Sequence, residues 1–261
     1  MIKAIFFDID GTLVSFNTHR MSERLKKCLH KLHSKGIKLF ISSGRARLIM
    51  NNLDGFPFDG YVAMNGAETT LNGEVIDSHP LSRDVSLQVA EIAERENVSC
   101  WVFADNVAGI NHSSPEALEV AGQINLYPPC FLDLSEVARN HTVYEYTIFF
   151  DEERERRLLH PVLKGVSYTR WHPYFLDIVP EGLSKSYGAS KILERIGATR
   201  EECIAFGDGG NDIPIIEYAG IGVAMGNATD DVKAAADYVT DTVDEDGIIS
   251  ALEHFGVLSE T

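Results

Sequence analysis

The sequence predicts an α/β protein: a doubly wound parallel sheet, Rossmann-like in its alternation, interrupted by an inserted α+β domain. Three observations carry that prediction. Short apolar runs alternate with amphipathic helical patterns near both ends of the chain, over 1–79 and 183–261. Between them, over 80–182, the spacings lengthen and strand and helix patterns mix, which makes an insert of ordinary domain size. Finally, acidic, glycine-rich turns follow two of the apolar runs, at Asp8–Thr12 and at Gly207–Asp212. An open α/β sheet places its ligands at such carboxyl ends of strands.

The elements follow in order. Ile2–Phe7 reads as a buried strand. Ser22–Ser34 reads as a helix, capped by Ser22, with Leu25, Cys28, Leu29 and Leu32 on one face and Gly36 at its end. Ile37–Ile41 is the next strand, Arg45–Leu53 a short helix and Tyr61–Met64 a third strand. Asn72-Gly73, between Thr69–Leu71 and Glu74–Ile76, is a strong hairpin signal. In the insert, helical patterns at Val85–Glu96, Glu116–Ile124 and Glu152–Leu159 mix with strand-like runs at Val98–Phe103, Val143–Phe150, Val166–Trp171 and Phe175–Val179. The βα alternation then returns. A helix at Ser186–Ile196 leads to the strand Cys203–Phe206, a helix reaching Ala219, the strand Ile221–Ala224, a helix over Asp230–Ala236 and the strand Tyr238–Thr240.

Composition narrows the function classes. The 261 residues are 44% hydrophobic, enough for one large domain or two small ones, each with its own core. The formal charge of −16, from 23 basic and 39 acidic residues, repels nucleic acid and anionic lipid surfaces, so neither is an expected partner. The four cysteines, Cys28, Cys100, Cys130 and Cys203, form no C-x-x-C pair and point to neither a zinc site nor a disulfide framework. Asp8 and Asp10 break the first apolar stretch, so it does not read as a signal peptide, and no run is long enough to span a bilayer. A cytoplasmic protein is the expectation. A monomer is compatible with the sequence.

Four distant segments are suited to meet around one phosphate and one hard cation: Asp8-Ile9-Asp10-Gly11-Thr12, Ser42-Ser43-Gly44-Arg45, Ser184-Lys185 and Gly207-Asp208-Gly209-Gly210-Asn211-Asp212. Asp8 and Asp10, one residue apart at a strand exit, can reach one pocket, with Asp208 and Asp212 joining them. Carboxylates this close repel by roughly 4 kcal/mol per pair at an effective dielectric near 20, so the cluster needs a cation, a lysine or a retained proton. All-oxygen ligands favour Mg²⁺ over zinc. One carboxylate can attack phosphorus to give an aspartyl-phosphate, while a second protonates the leaving oxygen and then deprotonates water. Lys185, the Ser43 hydroxyl and backbone N–H groups near Gly11 and Gly44 are candidates to hold phosphate oxygens. Taken singly, each segment also reads as a turn, a loop, a solvated lysine or a helix cap. The occurrence of all four in this order, each at the edge of a strand or helix, favours phosphoryl-transfer chemistry.

At these residues the chain resembles the haloacid dehalogenase-like superfamily, in its Cof-type sugar-phosphatase branch (subfamily IIB) with a large α/β cap. The resemblance covers nearly the whole chain and implies a catalytic core at 1–79 and 183–261 with a substrate-specificity cap at 80–182. It implies Asp8 as nucleophile, Asp10 as general acid/base, and Lys185 as the lysine of the third motif. Ser43 matches the hydroxyl of the second motif, with Ser42 beside it as the alternative. Asp208 matches the metal-binding carboxylate of the fourth motif, which Asn211 and Asp212 complete. Mg²⁺ would be bound by Asp8, the Asp10 carbonyl and Asp208, with Asp212 in support. Asn65-Gly66 resembles a segment that lies beside the phosphate pocket, and Gly44 and Arg45 fall in the second motif. Arg170, His172, Tyr174 and Asp177 are the cap residues expected near a polar leaving group. The implied activity is a Mg²⁺-dependent phosphatase of small phosphate monoesters, sugar phosphates first. The alternatives are a phosphatase acting on flavin or pyridoxal phosphate, a phosphomutase, a glycosyltransferase and a sugar-phosphate-binding regulator.

Overall fold

The structure, a computed structural model, describes residues 1–123 and 130–258. Two compact units emerge: Met1–Asp77 with Ser184–Thr261, and Ser78–Leu183. The first, the core, contains β1 (Ala4–Phe7), α1 (Glu23–Ser34), β2 (Lys38–Ser42), β3 (Gly60–Ala63), β4 (Glu68–Leu71) and β5 (Glu74–Ser78). The second, the cap, contains α2 (Arg83–Arg95), β6 (Cys100–Ala104), β7 (Ala108–Ile110), α3 (Pro115–Gln123), α4 (Leu134–Asn140), β8 (Val143–Ile148), α5 (Glu152–Leu158), β9 (Val166–His172) and β10 (Phe175–Pro180). The expected end of the third helix, Ile124, lies outside the described residues. The core resumes with α6 (Lys185–Ile196), β11 (Cys203–Gly207), α7 (Ile213–Tyr218), β12 (Ile221–Ala224), α8 (Asp230–Ala235), β13 (Tyr238–Val239) and α9 (Gly247–His254).

The core sheet runs β13-β12-β11-β1-β2-β3-β4-β5. Its strands are parallel from β13 to β3, and β4 turns antiparallel. Both faces are covered, as a parallel sheet requires. Ile5, Phe7, Leu39, Ile41 and Phe206 face a cluster containing Leu29 and Leu32 of α1 and Leu252 of α9. Their strand neighbours Ala4, Phe6, Phe40 and Ala205 face Ala189, Ile192 and Leu193 of α6. Phe6 stacks on Phe40 at 5.0 Å and Phe7 on Phe206 at 5.4 Å, one pair per face.

The sheet order reverses at β1. Chain-adjacent β2 lies on one side of it and β11, nearly two hundred residues on, lies on the other. That is a topological switch point, and the loops leaving it form a crevice. Ser22 caps α1 and Ser184 caps α6 by accepting backbone N–H bonds of 3.0 and 3.1 Å. Asn72 (φ 51°) and Gly73 (φ 86°) both lie in the left-handed region, as a type I′ hairpin turn requires.

The helix expected over Arg45–Leu53 does not form; only a 3₁₀ turn at Arg47–Ile49 does. Arg45 folds back so that its guanidinium donates to the Ile49 carbonyl, the acceptor a continuing helix would offer to Leu53. Asp54 and Gly55 then take positive φ and turn the chain away. β7, α4 and α9 are further elements beyond those read from the pattern. In α9, Ile248, Ile249 and Leu252 face the core at helical spacing. The cap sheet, in order β7-β6-β8-β10-β9, is antiparallel wherever its pairing is given. Among the described residues no helix is long and apolar enough to cross a membrane.

Candidate active site

Lys185 stands at the centre of the crevice loops. It is fully buried, and its ammonium donates to Asp8 Oδ1 at 2.6 Å and to Asp212 Oδ1 at 2.5 Å. A lysine in the first turn of a helix opposes the helix dipole, so the carboxylates, not α6, favour its charge there. Asp8 follows β1 and Asp212 lies in the turn after β11, and the pairing of those strands brings the two together. Asp212 Oδ2 accepts the backbone N–H groups of Asp208 and Gly209, each at 3.0 Å. The same side chain therefore shapes the loop that presents Asp208. Asp208 Oδ1 accepts the Thr12 hydroxyl at 2.8 Å, which ties the first and fourth segments directly.

Asp8, Asp208 and Asp212 each present a carboxylate oxygen within 4.8 Å of the other two. Burial pushes the Asp8 carboxyl up to about 7; Lys185 opposes the rise, while Asp212 and Asp10 add to it. Burial, together with Asp8 and Asp212, likewise holds the Asp208 carboxyl well above the usual carboxylate range. Burial would lower the Lys185 ammonium, but Asp212 and Asp8 outweigh it and keep the lysine charged. One ammonium among three carboxylates leaves negative charge uncompensated in a largely buried site. A hard divalent cation with oxygen ligands fits that deficit, so the residues present suit Mg²⁺.

A pH dependence follows from these shifts. Asp8 binds its proton more tightly folded (about 7) than at its ordinary value of 3.8. In EDTA its contribution therefore favours folding below pH ~4 and is lost as pH rises to ~7, by up to a few kcal/mol. A cation that binds the ionised carboxylates reverses the loss. The rise in melting temperature caused by Mg²⁺ is expected to be larger at pH 8 than at pH 5 by scanning fluorimetry. Equal shifts at the two pH values would refute cation uptake at Asp8.

Asp10 is turned elsewhere. Both of its oxygens accept from Arg45, Oδ2 from Nε at 2.6 Å and Oδ1 from a terminal nitrogen at 2.8 Å. Its carboxylate is not one of the three clustered carboxylates. Arg45 is itself buried, and its carbonyl accepts the Met64 N–H at 3.2 Å.

The β2 and β3 exits supply polar groups beside the cluster. Ser43 lies past the end of β2; its Oγ accepts the Arg45 N–H at 3.1 Å, which leaves its hydroxyl proton to donate. Ser42 Oγ is buried without a partner. After β3 the chain takes positive φ at Met64, Asn65 and Gly66 in succession. For Met64 and Asn65 this is strained backbone of the kind found at functional sites. The turn places Asn65 so that its Oδ1 accepts from Asn211 Nδ2 at 3.0 Å, while its own Nδ2 is buried with no partner. A Cβ on Gly44 would come within 3.5 Å of both asparagine side chains, so the loops after β2, β3 and β11 converge here. A Cβ on Gly66 would sit 2.4 Å from the Ser184 carbonyl, which only glycine permits.

Gly11 shows the closest fit among the glycines of the site segments. Its φ is +84°, and an added Cβ would lie 2.2 Å from Asp208 Oδ2. Gly11→Ala is expected to displace Asp208, destabilise the fold by about 1–3 kcal/mol and weaken Mg²⁺ binding, as read by calorimetric titration. Unchanged Mg²⁺ affinity would show that Asp208 is not held by this approach. Asn227 is a site residue that the motif reading missed. Its amide donates to the Gly11 carbonyl at 2.9 Å and to Asp208 Oδ2 at 3.4 Å, and its Oδ1 accepts the Val243 N–H at 2.9 Å. The sequence signal was available: Gly226-Asn227 leaves β12 as Gly11 leaves β1.

The four expected cap residues sit in different environments. Arg170 donates to Glu155 Oε2 at 3.0 and 2.9 Å and to the carbonyls of Phe150, Pro173 and Phe175 at 3.0–3.2 Å. The guanidinium staples α5 to the β9–β10 turn, since a buried carboxylate must be paired. His172 stacks on Phe175 at 5.3 Å, and its Nδ1 accepts the Tyr174 N–H at 3.3 Å. Tyr174 is exposed. Asp177 is buried and accepts the Thr147 hydroxyl at 2.7 Å.

Comparison with known proteins places this geometry. The model of the haloacid dehalogenase-like hydrolase family matches residues 5–252. The chain is 31% identical to the 5-amino-6-(5-phospho-D-ribitylamino)uracil phosphatase YitU of Bacillus subtilis (strain 168), with 96% of each chain covered. Among solved structures, BT1666 from Bacteroides thetaiotaomicron is 40% identical with a TM-score of 0.88, over 98% of this chain and 96% of that one. The HAD subclass IIB sugar phosphatase BT4131 is 38% identical with a TM-score of 0.88, over 98% of this chain and 99% of that one.

Proposed function

The chain belongs to the haloacid dehalogenase-like hydrolase family and is a phosphatase of it, and from that premise we propose that it hydrolyses small phosphate monoesters, sugar phosphates first, with Mg²⁺ and through an aspartyl-phosphate on Asp8. The observation that carries the proposal is the buried ammonium of Lys185 bridging Asp8 and Asp212, with Asp208 completing a carboxylate triad.

Each residue has a task in that reading. The Ser43 hydroxyl, the Gly44 N–H and the unpartnered Asn65 Nδ2 donate to the phosphate oxygens, with Asn211 holding Asn65 in place. Lys185 fixes Asp8 Oδ1 and leaves Oδ2 to attack phosphorus. As the new bond forms, the bond from phosphorus to the alcohol oxygen breaks, and the Asp10 carboxyl gives that oxygen its proton. In the second step the Asp10 carboxylate takes a proton from water. The water oxygen attacks phosphorus, the bond to Asp8 breaks, and inorganic phosphate leaves. Because Arg45 occupies both Asp10 oxygens, the acid–base role requires that ion pair to open. Mg²⁺ held by Asp8, Asp208 and Asp212 would supply positive charge opposite the transferring phosphoryl group.

The test is phosphate release from a panel of sugar phosphates, nucleotides, flavin phosphate and pyridoxal phosphate, with Mg²⁺ and with EDTA. Mg²⁺-dependent release ranks the substrates. Equal release in EDTA would remove the metal from the proposal. Isomerised sugar phosphate without free phosphate would show a mutase, and binding without turnover a regulator. The cofactor arm belongs in the panel because YitU acts on a phosphoribityl compound.

A further inference from the structure

The loops after β1, β12 and β13 meet at one side chain. Asn227 follows β12 in the segment Met225-Gly226-Asn227. Its Nδ2 donates to the Gly11 carbonyl at 2.9 Å and toward Asp208 Oδ2 at 3.4 Å, and its Oδ1 accepts the Val243 N–H at 2.9 Å. The network fixes which way the amide points, because a backbone carbonyl can meet only its nitrogen and a backbone N–H only its oxygen. Asn227 is exposed. An exposed amide is ordinarily spent on water, and an asparagine that only closes a turn bonds its own backbone two residues on. The bonds of Asn227 run instead to residues 11, 208 and 243, on three other segments.

The amide is anchored from both sides. The Gly226 N–H donates to the Asp241 carbonyl at 2.9 Å, and a Cβ on Gly226 would lie 2.8 Å from the Asp241 carbonyl carbon and from the Thr242 nitrogen. The Ala228 N–H donates to the Met225 carbonyl at 2.9 Å, so the backbone on either side of Asn227 is held. Val243, which Asn227 grips, opens a 3₁₀ turn over Val243–Glu245. That turn is clasped to the β1 exit, where Ser15 Oγ and Asn17 Nδ2 donate to Asp244 at 2.5 and 2.7 Å.

What this anchored amide holds is one corner of the carboxylate triad. Asp208 packs directly against Gly11, and Thr12, the next residue of that turn, donates to Asp208 Oδ1. The direction of the Asp208 carboxylate therefore depends on where residues 11 and 12 stand. Asn227 fixes that turn through the Gly11 carbonyl and reaches Asp208 Oδ2, the oxygen that Thr12 does not take. A neutral donor suits the task. An ammonium or guanidinium here would compete with a cation for the carboxylate, whereas an amide orients it and leaves its charge intact. We propose that Asn227 is a positioning residue of the metal site, which holds Asp208 against the Gly11 turn, braced on the Val243–Glu245 turn, so that the carboxylate is preset for Mg²⁺. The inference rests on the proposed function only in taking Mg²⁺ as the cation of the triad.

The test titrates Mg²⁺ alone into the full-length protein by calorimetry, with Asn227→Ala, Asn227→Ser and Ser22→Ala beside the wild type. Asn227→Ala is expected to raise the Mg²⁺ Kd by ~10-fold or more, the scale on which loss of a group that orients a metal ligand is felt. Serine keeps a small polar side chain in the turn, but its hydroxyl is too short to replace the amide. Asn227→Ser is therefore expected to show the same rise, and it carries the test if the alanine variant does not fold. Ser22→Ala removes the cap of α1 and is expected to lower the melting temperature while leaving the Mg²⁺ Kd unchanged, which separates positioning from a general loss of stability. Unchanged Mg²⁺ Kd in the folded Asn227 variants, an equal rise in Ser22→Ala, or a wild type that takes up no Mg²⁺ would overturn the proposal. Failure of phosphate release from every ester, with the difference in Kd intact, would instead sink the phosphatase reading and leave this role standing.

Discussion

Asp8→Asn is expected to release phosphate at least ~10⁴-fold more slowly than the wild type, the scale on which loss of a covalent nucleophile is felt. An amide oxygen is a poor nucleophile toward phosphorus, yet it still accepts from Lys185 in the same place. The substitution also removes one of three mutually repelling carboxylates, of which Asp8 and Asp212 are buried. Its melting temperature in EDTA at pH 8 is therefore expected to equal or exceed that of the wild type, because burial makes the ionised Asp8 costly there. A steady-state phosphate assay beside a thermal melt checks both. Retained activity would remove Asp8 as nucleophile; lost activity with a lowered melt would mean only that the site had collapsed.

Lys185→Met should act in the opposite direction on stability. Methionine is of similar length and apolar, so packing is largely kept while the buried cation between Asp8 and Asp212 is lost. Asp8 and Asp212 then face each other without compensation. Removing one partner of a buried ion pair costs about 3–5 kcal/mol, because the other charge stays buried and unpaired. The loss should be greater at pH 8 than at pH 5, since protonation of the carboxylates relieves it. Mg²⁺ should restore part of the stability but not the activity, because the phosphate loses a donor and Asp8 loses its orientation. Chemical denaturation with and without Mg²⁺ checks this. A variant as stable as the wild type in EDTA at pH 8 would show that Lys185 does not balance the cluster.

The opposed signs follow from one ion pair, and they separate electrostatic roles from simple packing. Much of that pair was legible beforehand. Asp8, Lys185, Asp208 and Asp212 each lie at the edge of an apolar strand or a capped helix, and those edges are set by local chemistry. Arg45 was harder. Its segment reads as a short helix, but the side chain takes the Ile49 carbonyl and the Asp10 carboxylate, and both contacts override local preference. The burial of Glu145 on the cap sheet was invisible for another reason. Strand alternation over Val143–Phe150 marks Glu145 and Thr147 as one face, but a period of two does not tell whether that face meets water or is buried. Arg170 looked available for a ligand because its partner Glu155 lies fifteen residues away on another element.

The sequence by itself determined the α/β class, the interruption by an inserted unit, and the set of carboxylates, lysine and hydroxyl that phosphate chemistry needs. These depend on periodicity, capping and turn formation, which act over a few residues. Tertiary structure alone decided how those groups are charged and paired. The reversal of strand order at β1 sets Asp8 beside the β11 loop, so that Lys185 bridges Asp8 and Asp212 while Arg45 draws Asp10 aside. Carboxyl groups nearly two hundred residues apart shift one another only when the fold brings them within a few ångströms and strips their water away, and neither distance nor desolvation is written in local pattern.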